Sequence, residues 1–298
     1  MAQQRPLRIV LPYAPGGVVD TLGRVLGQAL AETGGMSTVA DNRPGAGGMI
    51  GTEHVAKSTP DGTTALVMDP AIVINPSLQA NVPYDLFRDL TCVSIVSSSP
   101  LVVVAGPSQP FSTMQELVAH GRARPGQLSF ASAGVGTTPH LAGELLNLRT
   151  GINASHIPYR GIAAAMPDLM SGAVPFTFSS IAGARGLIAD NRLRAIATTG
   201  TTRPSSLRDV PTMVEAGFAD FVVDLWLGVF VPSATPAATV AALQAALQVA
   251  LRRPETATAF ERVGAEVRFT STAESERTLR AEFAMWRNLI TTQRITAG

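Results

Sequence analysis

The sequence predicts an α/β protein of two lobes, each a parallel sheet with helices on both faces. Three observations carry this. Short β-branched runs alternate with amphipathic segments for most of the 298 residues, the pattern of a helix-covered sheet. That length exceeds one typical domain. Strand-like segments near Leu101–Ala105 and Trp226–Val231 read as crossings between lobes. They set a first lobe at 1–103 with 226–298 and a second at 104–225, with a ligand cleft expected between them.

The elements follow in order. Leu7–Pro12 reads as a buried strand that ends at the turn Ala14-Pro15-Gly16-Gly17. A helix follows, with Leu22, Val25, Leu26, Ala29 and Leu30 on one face. Thr63–Asp69 and Leu101–Ala105 are further strands. Ser112–Arg122 reads as a helix and Leu128–Ala131 as a strand. The turn Ser132–Thr137 leads into a helix carrying Leu141, Leu145 and Leu148. Strands at His156–Tyr159, Pro175–Ser179 and Leu193–Thr198 are separated by helices around Ala163–Met170 and Gly183–Ala189.

The last seventy or so residues are mainly helical. Pro236 suits the first turn of a helix bearing Val240, Leu243, Leu247 and Leu251, which stops at Pro254. Ser271 and Glu274 have capping-box spacing. Beyond them Leu279, Phe283, Trp286 and Ile290 form one apolar stripe. These late helices are expected to pack back on the first lobe. No internal repeat or low-complexity linker is visible.

Composition narrows the function classes. Hydrophobic residues are 46% and charged residues 15%, and mean hydropathy is +0.22, which excludes a disordered chain. No apolar run reaches the roughly 20 residues of a membrane helix. The formal charge is +1, from 23 basic and 22 acidic residues. The basic ones are scattered, so nucleic acid is not an expected partner. The single cysteine, Cys92, lies in the apolar stretch Thr91–Ile95 and reads as a buried, inert thiol. The opening residues carry no secretory leader, so the chain is read either as cytosolic or as starting at a mature end.

Two segments share one design. Tyr13-Ala14-Pro15-Gly16-Gly17-Val18-Val19-Asp20 and Ser132-Ala133-Gly134-Val135-Gly136-Thr137-Thr138 each follow a strand and open a helix. Glycines there let backbone approach a ligand, and the helix start offers unpaired N–H groups and about half a positive charge. Such a terminus binds anions without a basic side chain, and both turns belong at the carboxyl ends of strands, where α/β sheets bind ligands. The bland reading is that glycines merely make tight turns. A micromolar ligand needs about 8 kcal/mol. At roughly 1.5–3 kcal/mol per hydrogen bond to a charged group, four to six backbone donors suffice. Asp20, in the first helical turn, reads either as a favourable charge against the helix dipole or as a group orienting ligand or water.

Catalytic motifs do poorly. Gly134-Val135-Gly136 begins like a dinucleotide fingerprint, but Pro139 takes the third glycine's place. No nucleophile elbow, phosphate loop or His-Glu-x-x-His occurs. His140 and Glu144 could share a metal, yet two ligands four residues apart read better as a helix-face pair. His54, His120 and His156 stand alone. Asn153-Ala154-Ser155 matches a glycosylation sequon and adds nothing without a secretory context. No cofactor, metal or catalytic residue is expected.

The motifs together resemble the Bug-type (TctC-like) receptors, the substrate-binding proteins of tripartite tricarboxylate transporters. The resemblance runs through Tyr13 to Asp20, Asp41-Asn-Arg-Pro-Gly-Ala-Gly-Gly48, Thr59-Pro-Asp-Gly62, Asn75-Pro-Ser77 and Pro83-Tyr-Asp85. It continues through Gly136-Thr-Thr-Pro-His-Leu-Ala-Gly-Glu144, Pro158-Tyr-Arg-Gly161, Asp209-Val-Pro-Thr212 and Glu215-Ala-Gly217.

The resemblance implies a type II periplasmic-binding-protein fold, two Rossmann-like lobes joined by crossover hinge strands. It implies a periplasmic receptor that takes a small organic acid to membrane transporter subunits and does no chemistry on it, and a monomer is the simplest expectation. The two loops would hold the carboxylate, with His140, Tyr159, Ser179 and Trp226 beside it. The family often has an acidic residue where Ser179 stands, and a hydroxyl residue at the place of Val18 or Val19. These departures point to a non-amino mono- or dicarboxylate, aromatic acids included.

A competing reading is a cytosolic α/β hydrolase or transferase using Ser132 and His140, which needs a base within reach of its nucleophile. An effector domain of a transcription regulator ranks last, since no helix-turn-helix precedes residue 7.

Overall fold

The computed structural model describes residues 5–296. They form two compact units, residues 5–98 with 226–287 and residues 99–225 with 288–296. No helix among the described residues is long and apolar enough to cross a membrane.

The first unit opens with β1 (Leu7–Leu11), α1 (Val18–Gly34) and β2 (Thr38–Asn42). α2 (Met49–Ala56), β3 (Thr64–Met68), α3 (Ala71–Leu78), α4 (Leu86–Asp89) and β4 (Leu90–Ser98) follow. Cys92 lies in β4, free and buried, and burial pushes its thiol up to about 12, as an inert core thiol requires.

The second unit carries β5 (Leu101–Ala105), α5 (Met114–Ala123), β6 (Ser129–Ser132), α6 (Thr138–Thr150) and β7 (Ser155–Pro158). It continues with α7 (Met166–Ser171), β8 (Phe176–Ser180), α8 (Ile181–Ala189) and β9 (Arg194–Thr198).

The chain re-enters the first sheet as β10 (Leu227–Pro232), then makes α9 (Ala237–Leu251), α10 (Pro254–Arg262), β11 (Glu266–Val267) and α11 (Thr272–Thr292). Pro236 is the N-cap of α9, one place ahead of the first-turn position expected from sequence. Leu243, Leu247, Leu251 and Phe260 share one core with Leu22, Leu26 and Leu30 of α1. α9 and α10 thus cover the first sheet, as the apolar spacing predicts.

Ser271 and Glu274 close the expected capping box: Glu274 N donates to Ser271 Oγ at 3.2 Å, and Ser271 N donates to Glu274 Oε2 at 2.8 Å. Ser271→Ala is expected to cost about 1 kcal/mol, read from the urea midpoint. An unchanged midpoint would show that tertiary packing alone fixes this helix start.

The six-stranded sheet has the order β11-β4-β10-β3-β1-β2 and the five-stranded sheet β7-β6-β8-β5-β9. β1 is parallel to β2 and β3, and β6 is parallel to β7 and β8. The sheets are nevertheless mixed, not wholly parallel as the sequence pattern predicts. β10 runs antiparallel to β3 and β4, and β5 antiparallel to β8 and β9. These are the strands by which the chain enters each sheet from elsewhere. No helical crossover within the sheet precedes them, so the βαβ rule does not set their direction.

Leaving out β11, the orders match strand for strand: second, first, third, entering strand, fourth. A repeat invisible in the residues is present in the topology.

Candidate functional site

In the first unit the turn between β1 and α1 gathers residues 13–20. Ala14, Pro15, Gly16, Gly17 and Val18 are exposed, whereas Val19 packs into the core. Gly16 has φ +93°, a conformation that side-chain-bearing residues seldom adopt. α1 makes its first helical bond from Thr21 N to Gly17 O at 2.9 Å, and its N-cap, Gly17, has no side chain to cap it. The N–H groups of Val18, Val19 and Asp20 therefore precede the helix's own bonding and point out of its positive end.

Asp20 locks this turn from behind. Its Oδ2 accepts from Gly16 N at 2.9 Å, and its Oδ1 accepts from Asn42 Nδ2 at 2.8 Å and Arg24 Nε at 3.0 Å. Burial opposes its charge, but these donors and the Arg24 guanidinium together outweigh burial and hold the carboxyl below its ordinary value. Asn42 is in place because β1 and β2 pair with Leu11 opposite Asn42. It also donates to Tyr13 O at 3.1 Å. The Tyr13 hydroxyl donates to Asp69 Oδ1 at 2.9 Å. Burial, then the neighbouring Asp69 charge, pushes the phenol far up.

In the second unit the turn between β6 and α6 gathers residues 132–138. Gly134 and Gly136 have φ of +126° and +78°. Thr137, a residue type that normally caps, does not cap α6. Its hydroxyl donates instead to Gly134 O at 2.7 Å. Leu141 N makes the first helical bond to Thr137 O, which leaves the amides of Thr138 and His140 ahead of it, while Pro139 has none. Val135 is 47% exposed and Val18, in the other turn, 50%. Each amide-lined turn thus presents an apolar side chain.

A buried polar cluster underlies the second turn. Gly134 N donates to Ser132 Oγ at 3.0 Å, and Ser132 Oγ lies 2.5 Å from His156 Nε2. Gly136 N donates to His140 Nδ1 at 3.0 Å. The two imidazoles are 3.9 Å apart between ring centroids. Phe130 lies beneath both, with centroids 6.4 Å from His140 and 5.2 Å from His156. A Cβ on Gly143 would stand 2.1 Å from the Phe130 ring, so only glycine admits this floor.

The reading of His156 as a solitary histidine is corrected: it meets both Ser132 and His140. The same geometry removes the Ser132–His140 hydrolase pair. His140 Nδ1 is occupied by Gly136 N–H, and Ser132 meets His156 instead. His140 Nε2 lies 3.8 Å from Glu144 Oε1 on the same helix, the helix-face pairing that the spacing suggests.

Tyr159 joins the second turn through its backbone, donating N–H to Ser132 O at 3.0 Å, while its hydroxyl donates to Asp168 Oδ2 at 2.6 Å. Ser179 is buried near the carboxyl end of β8, and its hydroxyl donates to Ser180 O. Trp226 is fully buried in the first unit and its indole N–H donates to Glu282 Oε1 at 2.8 Å. The sequence reading passed over Asn42 and Asp69. Asn42 lies inside a quoted motif, but its meeting with Asp20 depends on strand register, which no local pattern specifies.

The family model of the tripartite tricarboxylate transporter family receptor (TctC) matches residues 22–295. The chain belongs to that receptor family. The receptor is 33% identical to Protein BugT of Bordetella pertussis over 288 residues, 96% of this chain and 88% of BugT. Among solved structures it is similar to the periplasmic binding protein BugD, at 31% identity and TM-score 0.75 over 99% of both chains. It is also similar to R. palustris Rpa4515 with adipate, at 30% identity and TM-score 0.79 over 99% of both chains. The receptor accordingly has the two-lobed α/β fold of periplasmic binding proteins and is a solute-binding protein, not an enzyme.

Proposed function

We propose that this receptor captures a small organic carboxylate in the periplasm and hands it, as a monomer, to the membrane subunits of a tripartite tricarboxylate transporter. The ligand is a non-amino mono- or dicarboxylate with an apolar body, aromatic acids included. The observation that carries this reading is the pair of uncapped, glycine-lined helix starts, α1 in one unit and α6 in the other. Each offers backbone N–H groups to an anion at the positive end of a helix.

Adipate in Rpa4515 supports a carboxylate. The exposed Val18 and Val135 suit an apolar body. Ser179, where the family often has an acid, leaves an ammonium group without an evident counter-charge.

The mechanism follows from differential affinity. The two units serve as the two lobes, joined near residue 100 and residue 226. A ligand shifts the receptor toward whichever arrangement it binds better, by as much as the difference in affinity. The transporter then reads the arrangement that the ligand favours. The turns supply fixed dipoles, not a mobile lysine or arginine, so little side-chain ordering accompanies capture.

A thermal-shift panel tests this. A matching carboxylate at 100-fold over its Kd adds about 2.7 kcal/mol, a rise in Tm of roughly 5–10 °C. Adipate, benzoate and related acids are expected to stabilise the chain, and glycine and glutamate to leave it unmoved. Stabilisation by amino acids alone would overturn the ligand class. No response to any organic anion would overturn the function.

A further inference from the structure

We propose that His140 is the positioning residue of the second ligand turn: its neutral ring accepts the Gly136 N–H and so fixes the turn's amides, and protonating that ring releases Gly136 and weakens capture. The inference deepens the receptor reading above and rests on it for the ligand, though not for the state of the ring.

The argument begins with the direction of one hydrogen bond. Gly136 N–H is a donor, so His140 Nδ1, at 3.0 Å, accepts. Its proton is then on Nε2, facing Glu144 Oε1 at 3.8 Å. An imidazolium has no acceptor nitrogen. Once charged, it would place an N–H against the Gly136 N–H, and the turn would have to move.

The surroundings keep the ring neutral. Its side chain is 6% exposed. On β7, His156 lies 3.9 Å away between centroids. On β6 and β8, Phe130 and Phe176 pack as an apolar floor. On α6, Glu144 is the acidic neighbour, itself accepting from Asn147, and burial raises its own pKa. Burial first, then His156, lowers the His140 pKa to about 4, and burial lowers that of His156. The second imidazole adds a further hold through Ser132, which takes Gly134 N–H. The two histidines thus hold alternate glycines of the turn from below.

Long-range 1H–15N spectra of the histidine rings in the intact, ligand-free chain test the first half. The expected result is an Nε2–H tautomer for His140 that stays neutral at pH 5.5, with the Gly136 amide shifting only where that ring titrates. An Nδ1–H tautomer, or titration near the ordinary value of 6.5 with Gly136 unmoved, would overturn it.

The second half uses the carboxylate with the largest shift in the panel. His140→Asn puts an uncharged acceptor oxygen in place of Nδ1, which gains no proton as pH falls, so its affinity serves as the reference at each pH. The ratio of wild-type Kd to His140→Asn Kd should stay level from pH 7.5 to 5.5 and rise at least twofold by about pH 4. The ligand's own protonation cancels in that ratio. A level ratio down to pH 4 would overturn the proposal. Failure of every carboxylate to bind would remove the receptor reading, and the ring spectra would still decide what His140 does to the turn.

Discussion

Phe130→Ala is expected to lower the stability of the chain by about 3–5 kcal/mol, the range for emptying an aromatic core site. The ring is fully buried. It packs with Phe176 at 5.9 Å between centroids and lies beneath both His140 and His156. Its removal leaves a cavity bordered by Gly143, which has no side chain to fill it. The loss should appear as a fall in urea midpoint with an unchanged slope. Because the imidazoles lose their floor, carboxylate affinity should fall as well. A loss under about 1 kcal/mol would mean that the site collapses freely and that the ring does not support the turn.

Asp20→Asn is expected to cost about 2–3 kcal/mol. Every group around this carboxylate is a donor: Gly16 N, Asn42 Nδ2 and Arg24 Nε. A carboxamide keeps one acceptor and turns its NH2 toward a donor, Gly16 N–H if its oxygen keeps the place of Oδ1. The sign of the acid dependence follows. The carboxyl is held below its ordinary value of 3.8 in the folded chain, so its contribution is complete above that pH. It is lost as pH falls through the folded-state pKa. Wild type and variant should therefore differ most near neutrality and converge in acid. A constant difference down to pH 2 would show that Asp20 does not act through its charge.

Much of this structure was legible because apolar periodicity is strong where a helix or strand packs on one face. β1, β3, β5, β9, α1, α6 and α9 all lie where β-branched runs or leucine stripes predict. The elements that escaped have physical reasons to be quiet. β2 is only partly buried and ends in Asp41 and Asn42. α3 contains Pro76. α4 is a single turn held by Asp85, whose side chain accepts from Phe87 N and Arg88 N.

β4 buries Ser94 and Ser97, to whose hydroxyls Thr270 N and Leu227 N donate. Those partners lie more than a hundred residues away. The site divides in the same way. Both turns were readable as motifs, since glycine at a strand-to-helix junction is a local signal. Their supports, Asn42 behind Asp20 and His156 behind Ser132, depend on strand pairing and were not.

The matching strand orders carry one consequence for how such a chain comes into being. The fourth-placed partner in the first sheet, β10, ends at Pro232, whereas every strand of the second sheet has already appeared by Thr198. As the polypeptide emerges from a ribosome or a translocation pore, the sheet begun later is the one that can be finished earlier. β3 and β4 meanwhile wait with open edges, the state in which nascent strands find wrong neighbours. Completion of the two sheets thus need not follow the order in which they are begun.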